Sequence, residues 1–195
     1  MRQLNSDYFV TAVDVMRGRN IDFAPGLTAQ QIDAAESAHA FSFPPDLRAF
    51  LEYALPIDGR FPDWRDPTSE FIQDRLSWPA DSMCFDLEHN SFWLPSWGKK
   101  PDTLEAAQTR ARTAVRAAPL LIPIYAHRYL PATPCEACNP VFSVYQTDII
   151  FYGLDLPSYL FAEFGVPNPF PVPETPREIE FWCEMVRLND KRVAT

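Results

Sequence analysis

The stretch LLIPIYAHRYLPATPCEACNPVFSVYQTDIIFY, from Leu120 to Tyr152, decides the fold class. Its first third, Leu120 to Leu130, is dense in β-branched and aromatic residues and predicts one long strand. Pro123 has no N–H for a ladder and pushes the start of that strand towards a sheet edge or a bulge. Val141 to Tyr145 and Asp148 to Tyr152 are apolar runs separated by Gln146 and Thr147, which predicts a hairpin, with a turn chemistry other than Asn-Gly. Upstream, Met83 to Leu87 and Ser91 to Leu94 predict a second hairpin around His89 and Asn90.

Helical patterns flank these strands. Ser6 is placed to cap a first helix with Phe9, Val10, Val13 and Met16 on its apolar face. Thr28 and Gln31 form a capping-box pattern, with Leu27 and Ile32 as a hydrophobic staple, and Ala35 and His39 continue the same face. Pro45 suits the first turn of the next helix, whose stripe is Leu47, Phe50, Leu51 and Ala54. A short helix is predicted over Ser69 to Leu76 and a longer one over Asp102 to Ala118, with Leu104, Ala107, Ala111, Ala114 and Ala118 inward. Asp155 to Phe164, closed by Gly165, is another. A final helix over 175–190 opens on Thr175, Pro176 and Glu178 and buries Ile179, Trp182, Cys183 and Val186. Residues 167–176 hold five prolines and read as an extended strap that ties this helix to the body. Helices, then consecutive strands, then helices give an α+β class with an antiparallel sheet wrapped by helices, in one domain over 1–195.

Composition narrows the function. The net charge of −9 disfavours direct binding to nucleic acid, which needs a cationic face, and suits a cationic partner. Asp7 and Asp14 interrupt the apolar pattern of Met1 to Met16, so it is not a secretory signal, and no run is apolar enough to span a membrane. Cys84, Cys135, Cys138 and Cys183 then read as reduced thiols of a cytoplasmic protein, with a Cys135–Cys138 bridge left open.

Four segments resemble one family. Gly26-Leu27-Thr28 with Ile32 and Glu36, followed by Phe43-Pro44-Pro45-Asp46-Leu47-Arg48 and Phe50-Leu51, is similar to the opening of the SUKH superfamily. That superfamily includes fungal SMI/KNR cell-wall assembly regulators and many bacterial toxin-immunity proteins. Leu121 to Tyr129, Asn139 to Val144 and Asp148 to Gly153 resemble a bacterial branch, so the likeness runs over 26–165. Where many relatives carry Asn-Gly after the second helix, this chain has Ile57-Asp58-Gly59, with similar turn chemistry. The resemblance implies a sheet wrapped by helices, no cofactor, no catalytic residues and a protein-binding role. In the immunity branch the partner is a toxin domain, often a nuclease or deaminase. The alternatives are an SMI/KNR-type scaffold without a toxin partner and a hydrolase using the His127 region.

Few residues offer chemistry of their own. Cys135-x2-Cys138 supplies one thiol pair, short of the four ligands of a structural zinc site, and Pro134, Asn139 and Pro140 make it a loop. Along a single strand Tyr125, His127 and Tyr129 would share one face, with Arg128 opposite. Asp148 would then pair with Arg128 or accept from His127, a polar cluster read as structural. There is no glycine-rich phosphate loop and no Gly-x-Ser-x-Gly elbow. Asp58, Asp63, Trp64, Asp66, Glu70 and Asp74 combine spaced carboxylates with an aromatic, and are the expected face for a basic partner.

Overall fold

The computed structural model describes residues 7–193. Among them are seven α-helices and two antiparallel sheets, an α+β fold. Helix α1 (Asp7–Arg17) leads into β1 (Phe23–Pro25), α2 (Ala29–His39), α3 (Pro45–Tyr53) and β2 (Ala54–Pro56). Helix α4 (Glu70–His89), a 3-10 turn (Pro95–Trp97) and α5 (Leu104–Ala117) follow. Strands β3 (Leu121–Tyr125), β4 (Arg128–Pro131), β5 (Val141–Tyr145) and β6 (Asp148–Gly153) then make a meander, closed by α6 (Leu156–Glu163) and α7 (Trp182–Val193). No helix among the described residues is long and apolar enough to cross a membrane.

The meander separates two apolar layers, because successive strand residues point to opposite faces. Ile122, Leu130 and Val141 join α1, α2, α3, α6 and the β1–β2 ladder on one face. Leu121, Tyr129, Phe142, Val144 and Ile149 join α4, α5 and α7 on the other. The local signals behind several elements work as read. Thr28 and Gln31 close the capping box of α2, and Pro45 opens α3. The helix expected from Asp155 is α6, and the structure adds its cap, Asp155 accepting from the Ser158 N–H at 2.8 Å. Val141–Tyr145 and Asp148–Gly153 pair as the expected hairpin, with Gln146 left-handed at φ 56°. Pro123 sits on the edge strand, beside a register shift.

Four expectations are corrected. Leu120 to Leu130 is not one strand: Ala126 takes φ 47° and its N–H donates to the Arg60 carbonyl at 2.8 Å, so the chain folds back as β3 and β4. The second hairpin does not exist, because Met83 to Leu87 belongs to α4, whose buried face is Ile72, Pro79, Met83 and Leu87. Helix α4 runs straight through Pro79, far beyond the short helix expected over Ser69 to Leu76. Helix α7 starts at Trp182 rather than at Thr175, since Arg177 is drawn away to Asn139 Oδ1 at 2.6 Å and to Glu136 at 3.0 Å. Ile179, Trp182, Cys183 and Val186 are nonetheless all buried. Two smaller differences are exposed Val10 and Leu104, and the Ser6 cap lies outside the described residues.

Pro79 lacks the N–H that would bond the Arg75 carbonyl four residues back. That carbonyl is satisfied instead by the buried Tyr129 hydroxyl of β4, at 2.9 Å. Trp78 Nε1 donates to the Val144 carbonyl at 3.1 Å, and Asp86 accepts from the Thr147 N–H and hydroxyl at 2.8 and 2.6 Å. Helix α4 is thereby bonded to β4, to β5 and to the β5–β6 turn.

A Cβ on Gly26 would overlap the backbone carbonyl of Glu52, whereas one on Gly59 would meet nothing within 4 Å. Gly26→Ala is expected to destabilise the fold by about 3 kcal/mol or more. Gly59→Ala is expected to stay within about 0.5 kcal/mol. Urea unfolding of the two variants checks the contrast, read as a fall in midpoint at unchanged slope.

Candidate functional site

The β3–β4 and β5–β6 turns lie at the same end of the meander, as its strand order requires. Residues 128, 143, 145, 148, 150 and 152 share one face of this end by register and alternation. Here the helical layer stops short: Tyr145 is 56% exposed and Ile150 38% exposed. Arg128 lies over the Tyr152 ring, 3.6 Å from its centroid, and donates to Glu163 of α6 at 3.0 Å and to the Ser143 hydroxyl at 2.8 Å. An arginine so held is mostly buried, its side chain 11% exposed, beside the exposed Tyr145 and Ile150. His127 packs edge-on against Tyr145, with centroids 5.9 Å apart. Burial, and then the neighbouring Arg128, push its imidazole below the ordinary range, with Glu163 opposing and Arg75 adding to the effect.

Helix α4 contributes to the same end. Arg75 is sandwiched between the rings of Phe71 and Trp78, at 5.5 and 5.2 Å. Its Nε is buried without a hydrogen bond, and the side chain has no carboxylate partner among the described residues. The Arg60–Ala126 backbone bond brings the acidic segment alongside.

The acidic residues divide into two groups. Asp58 accepts from the N–H of Arg60 at 3.0 Å, and Asp63 is held by a forked contact to Arg65 at 2.8 and 2.6 Å. That contact keeps the Asp63 carboxyl below the usual range. Asp66, Glu70 and Asp74 are exposed. Trp64 is corrected: it is 1% exposed and packs edge-on against Phe41 and Phe43, so it belongs to the core and cannot touch a partner.

The expected His127–Arg128–Asp148 cluster is also corrected. His127 and Arg128 are neighbours at the turn, but Asp148 bonds Asn189 of α7 at 2.6 Å, and the carboxylate that Arg128 meets is Glu163. Glu163 was unreadable as a partner because it lies 35 residues away on a helix, and Tyr145 and Ile150 carry no sequence signal of exposure. Cys135 and Cys138 lie in a loop rather than on a helix and form no disulfide. The Cys138 N–H donates to buried Asp46 at 2.9 Å, which ties this loop to α3. No group of three metal-binding side chains occurs among the described residues. His39 and His89 bond the backbone carbonyls of Pro67 and Phe85, at 2.6 and 3.0 Å.

Removing the Arg128 guanidinium leaves the mostly buried Glu163 carboxylate without its cation. Arg128→Met is therefore expected to cost about 3 kcal/mol, measured by urea unfolding. Because the folded state lowers the His127 pKa, the unfolded chain binds this proton first as pH falls. This contribution to stability is lost as pH drops from the ordinary value of about 6.5 towards the lower folded one. An NMR titration is expected to place the His127 midpoint below that ordinary value, and to move it upward in Arg128→Gln. Compared with known proteins, the chain matches no family model, no curated protein and no solved structure.

Proposed function

We propose that the chain is a non-enzymatic, SUKH-type protein-binding protein whose binding face is the open turn end of the four-stranded sheet. The observation that carries this reading is the grouping of Tyr145, Ile150, Arg128 and Tyr152 on one rigid, incompletely covered sheet face. Tyrosine and arginine held by packing are the residues that dominate binding energy at protein interfaces. Asp66, Glu70 and Asp74 are exposed, and the whole chain carries −9. The partner that fits is cationic, with electrostatic attraction speeding encounter and the sheet face holding the complex. A basic toxin domain such as a nuclease, covered by an immunity protein in the cytoplasm, has this chemistry. The exposed Cys135 thiol suits a reducing compartment. The same charge disfavours nucleic acid as the partner.

A hydrolase reading has less support. Among the described residues no imidazole bonds a serine, a thiol or a carboxylate, and the His127 ring is turned towards Tyr145.

The test is capture from native extract with the tagged chain at moderate salt, with Tyr145→Ala and Ile150→Glu in parallel. One stoichiometric partner carrying a basic toxin domain is expected, and both substitutions should weaken its binding at least roughly tenfold while leaving unfolding midpoints nearly unchanged. A partner retained by both variants would move the face elsewhere. A stoichiometric partner without a toxin domain would replace the immunity role by a scaffold role, and capture of nothing would remove the binding reading.

A further inference from the structure

Beside the sheet face, and on the α1 and α6 side of β3, an open pocket of about 420 Å³ is lined by Arg19, Arg60, Tyr125, Glu163 and Phe164. Two guanidiniums therefore border one depression in a chain whose overall charge is −9. Neither is strongly committed. Arg19 makes one long hydrogen bond, 3.4 Å to the Gly165 carbonyl, and no ion pair among the described residues. Arg60 reaches Asp58 only at 3.4 Å, and its side chain is 62% exposed. The single carboxylate of the lining, Glu163, is held by Arg128 at 3.0 Å, so its charge is already met from the other side.

The aromatic floor gives the pocket a second chemistry. Arg60 lies over the Tyr125 ring at 4.9 Å, and Tyr125 meets Phe164 with centroids 5.9 Å apart. The Arg60 cation rests over this ring while its outer N–H groups stay in solvent, which leaves them open to an oxyanion. An apolar floor beneath such donors favours a flat, weakly polar body attached to the anion. We infer that this pocket binds an oxyanion carried on a flat apolar group, an aryl phosphate or an aryl carboxylate, through Arg19 and Arg60. The pocket is separate from Tyr145 and Ile150 and needs no protein partner, so it stands or falls independently of the protein-binding reading.

The experiment follows the side-chain N–H signals of Arg19 and Arg60 in the isotope-labelled full chain, with exposed Arg110 of α5 as reference. The probes are inorganic phosphate, phenyl phosphate and benzoate, each added at constant ionic strength. Saturable shifts confined to Arg19 and Arg60 are expected, with phenyl phosphate binding several-fold more tightly than phosphate. Arg19→Gln and Arg60→Gln should each weaken binding roughly tenfold, the loss of one charge-assisted contact. Comparing phenyl phosphate with benzoate decides between a tetrahedral and a planar oxyanion. Non-saturating shifts matching those of Arg110 for all three probes would overturn the site, as would saturable binding that survives both substitutions. Equal affinities for phosphate and phenyl phosphate would overturn the role of the aromatic floor.

Discussion

The arrangement depends on one hydrogen bond, from the Tyr129 hydroxyl to the Arg75 carbonyl at 2.9 Å. A proline inside a helix leaves the carbonyl four residues earlier without its donor, and a buried carbonyl without a donor is costly. Helix α4 keeps its length through Pro79 because a side chain from the sheet supplies what the backbone cannot. The same bond settles where α4 lies. Tyr129 points from β4 into the layer shared by α4, α5 and α7, and burial pushes its phenol well above the ordinary range, keeping it a neutral donor. The Trp78 and Asp86 contacts extend this anchoring along one helix face.

Once α4 is fixed across the sheet, the rest of the surface follows. One face of the meander receives the N-terminal helices and α6, the other receives α4, α5 and α7. The first set covers the β3–β4 and β5–β6 turn end only in part, leaving Tyr145 and Ile150 exposed. There Arg128 is held against Tyr152 and against Glu163, the last residue of α6. Arg75, immediately beside the bond that fixes α4, is set between two rings at the same end. The rigidity of this end comes from buried contacts beneath it, a suitable basis for a binding face whose side chains are ordered before a partner arrives.

Features that rest on short-range chemistry were legible in the sequence: the capping box of α2, the helix from Asp155 closed by Gly165, proline at the start of α3, the β5–β6 hairpin and the edge position of Pro123. Failures came where a distant group overrides the local pattern. Pro79 reads as a helix stop unless Tyr129 is known to stand opposite it. Ala126 reads as mid-strand unless the Arg60 carbonyl is there to hold its left-handed turn. Three-residue strands containing Pro25 and Pro56 give no alternating signal, so the β1–β2 ladder was invisible. At the candidate site the sequence placed His127 and Arg128 in a polar cluster, but it chose Asp148 over Glu163 because strand proximity is readable and helix docking is not. It also counted Trp64 among contact residues, since an aromatic amid carboxylates resembles an interface until its burial against Phe41 and Phe43 is seen.

The most direct measurement is a double-mutant cycle between Tyr129→Phe and Pro79→Ala, followed by urea unfolding. Alanine at position 79 restores the backbone N–H that bonds the Arg75 carbonyl, so the carbonyl no longer depends on the phenol. Tyr129→Phe is predicted to cost about 1–3 kcal/mol alone and less than half as much in the Pro79→Ala background. Equal costs in both backgrounds would contradict the account, because Tyr129 would then contribute only its packing and the helix would be held to the sheet by something else.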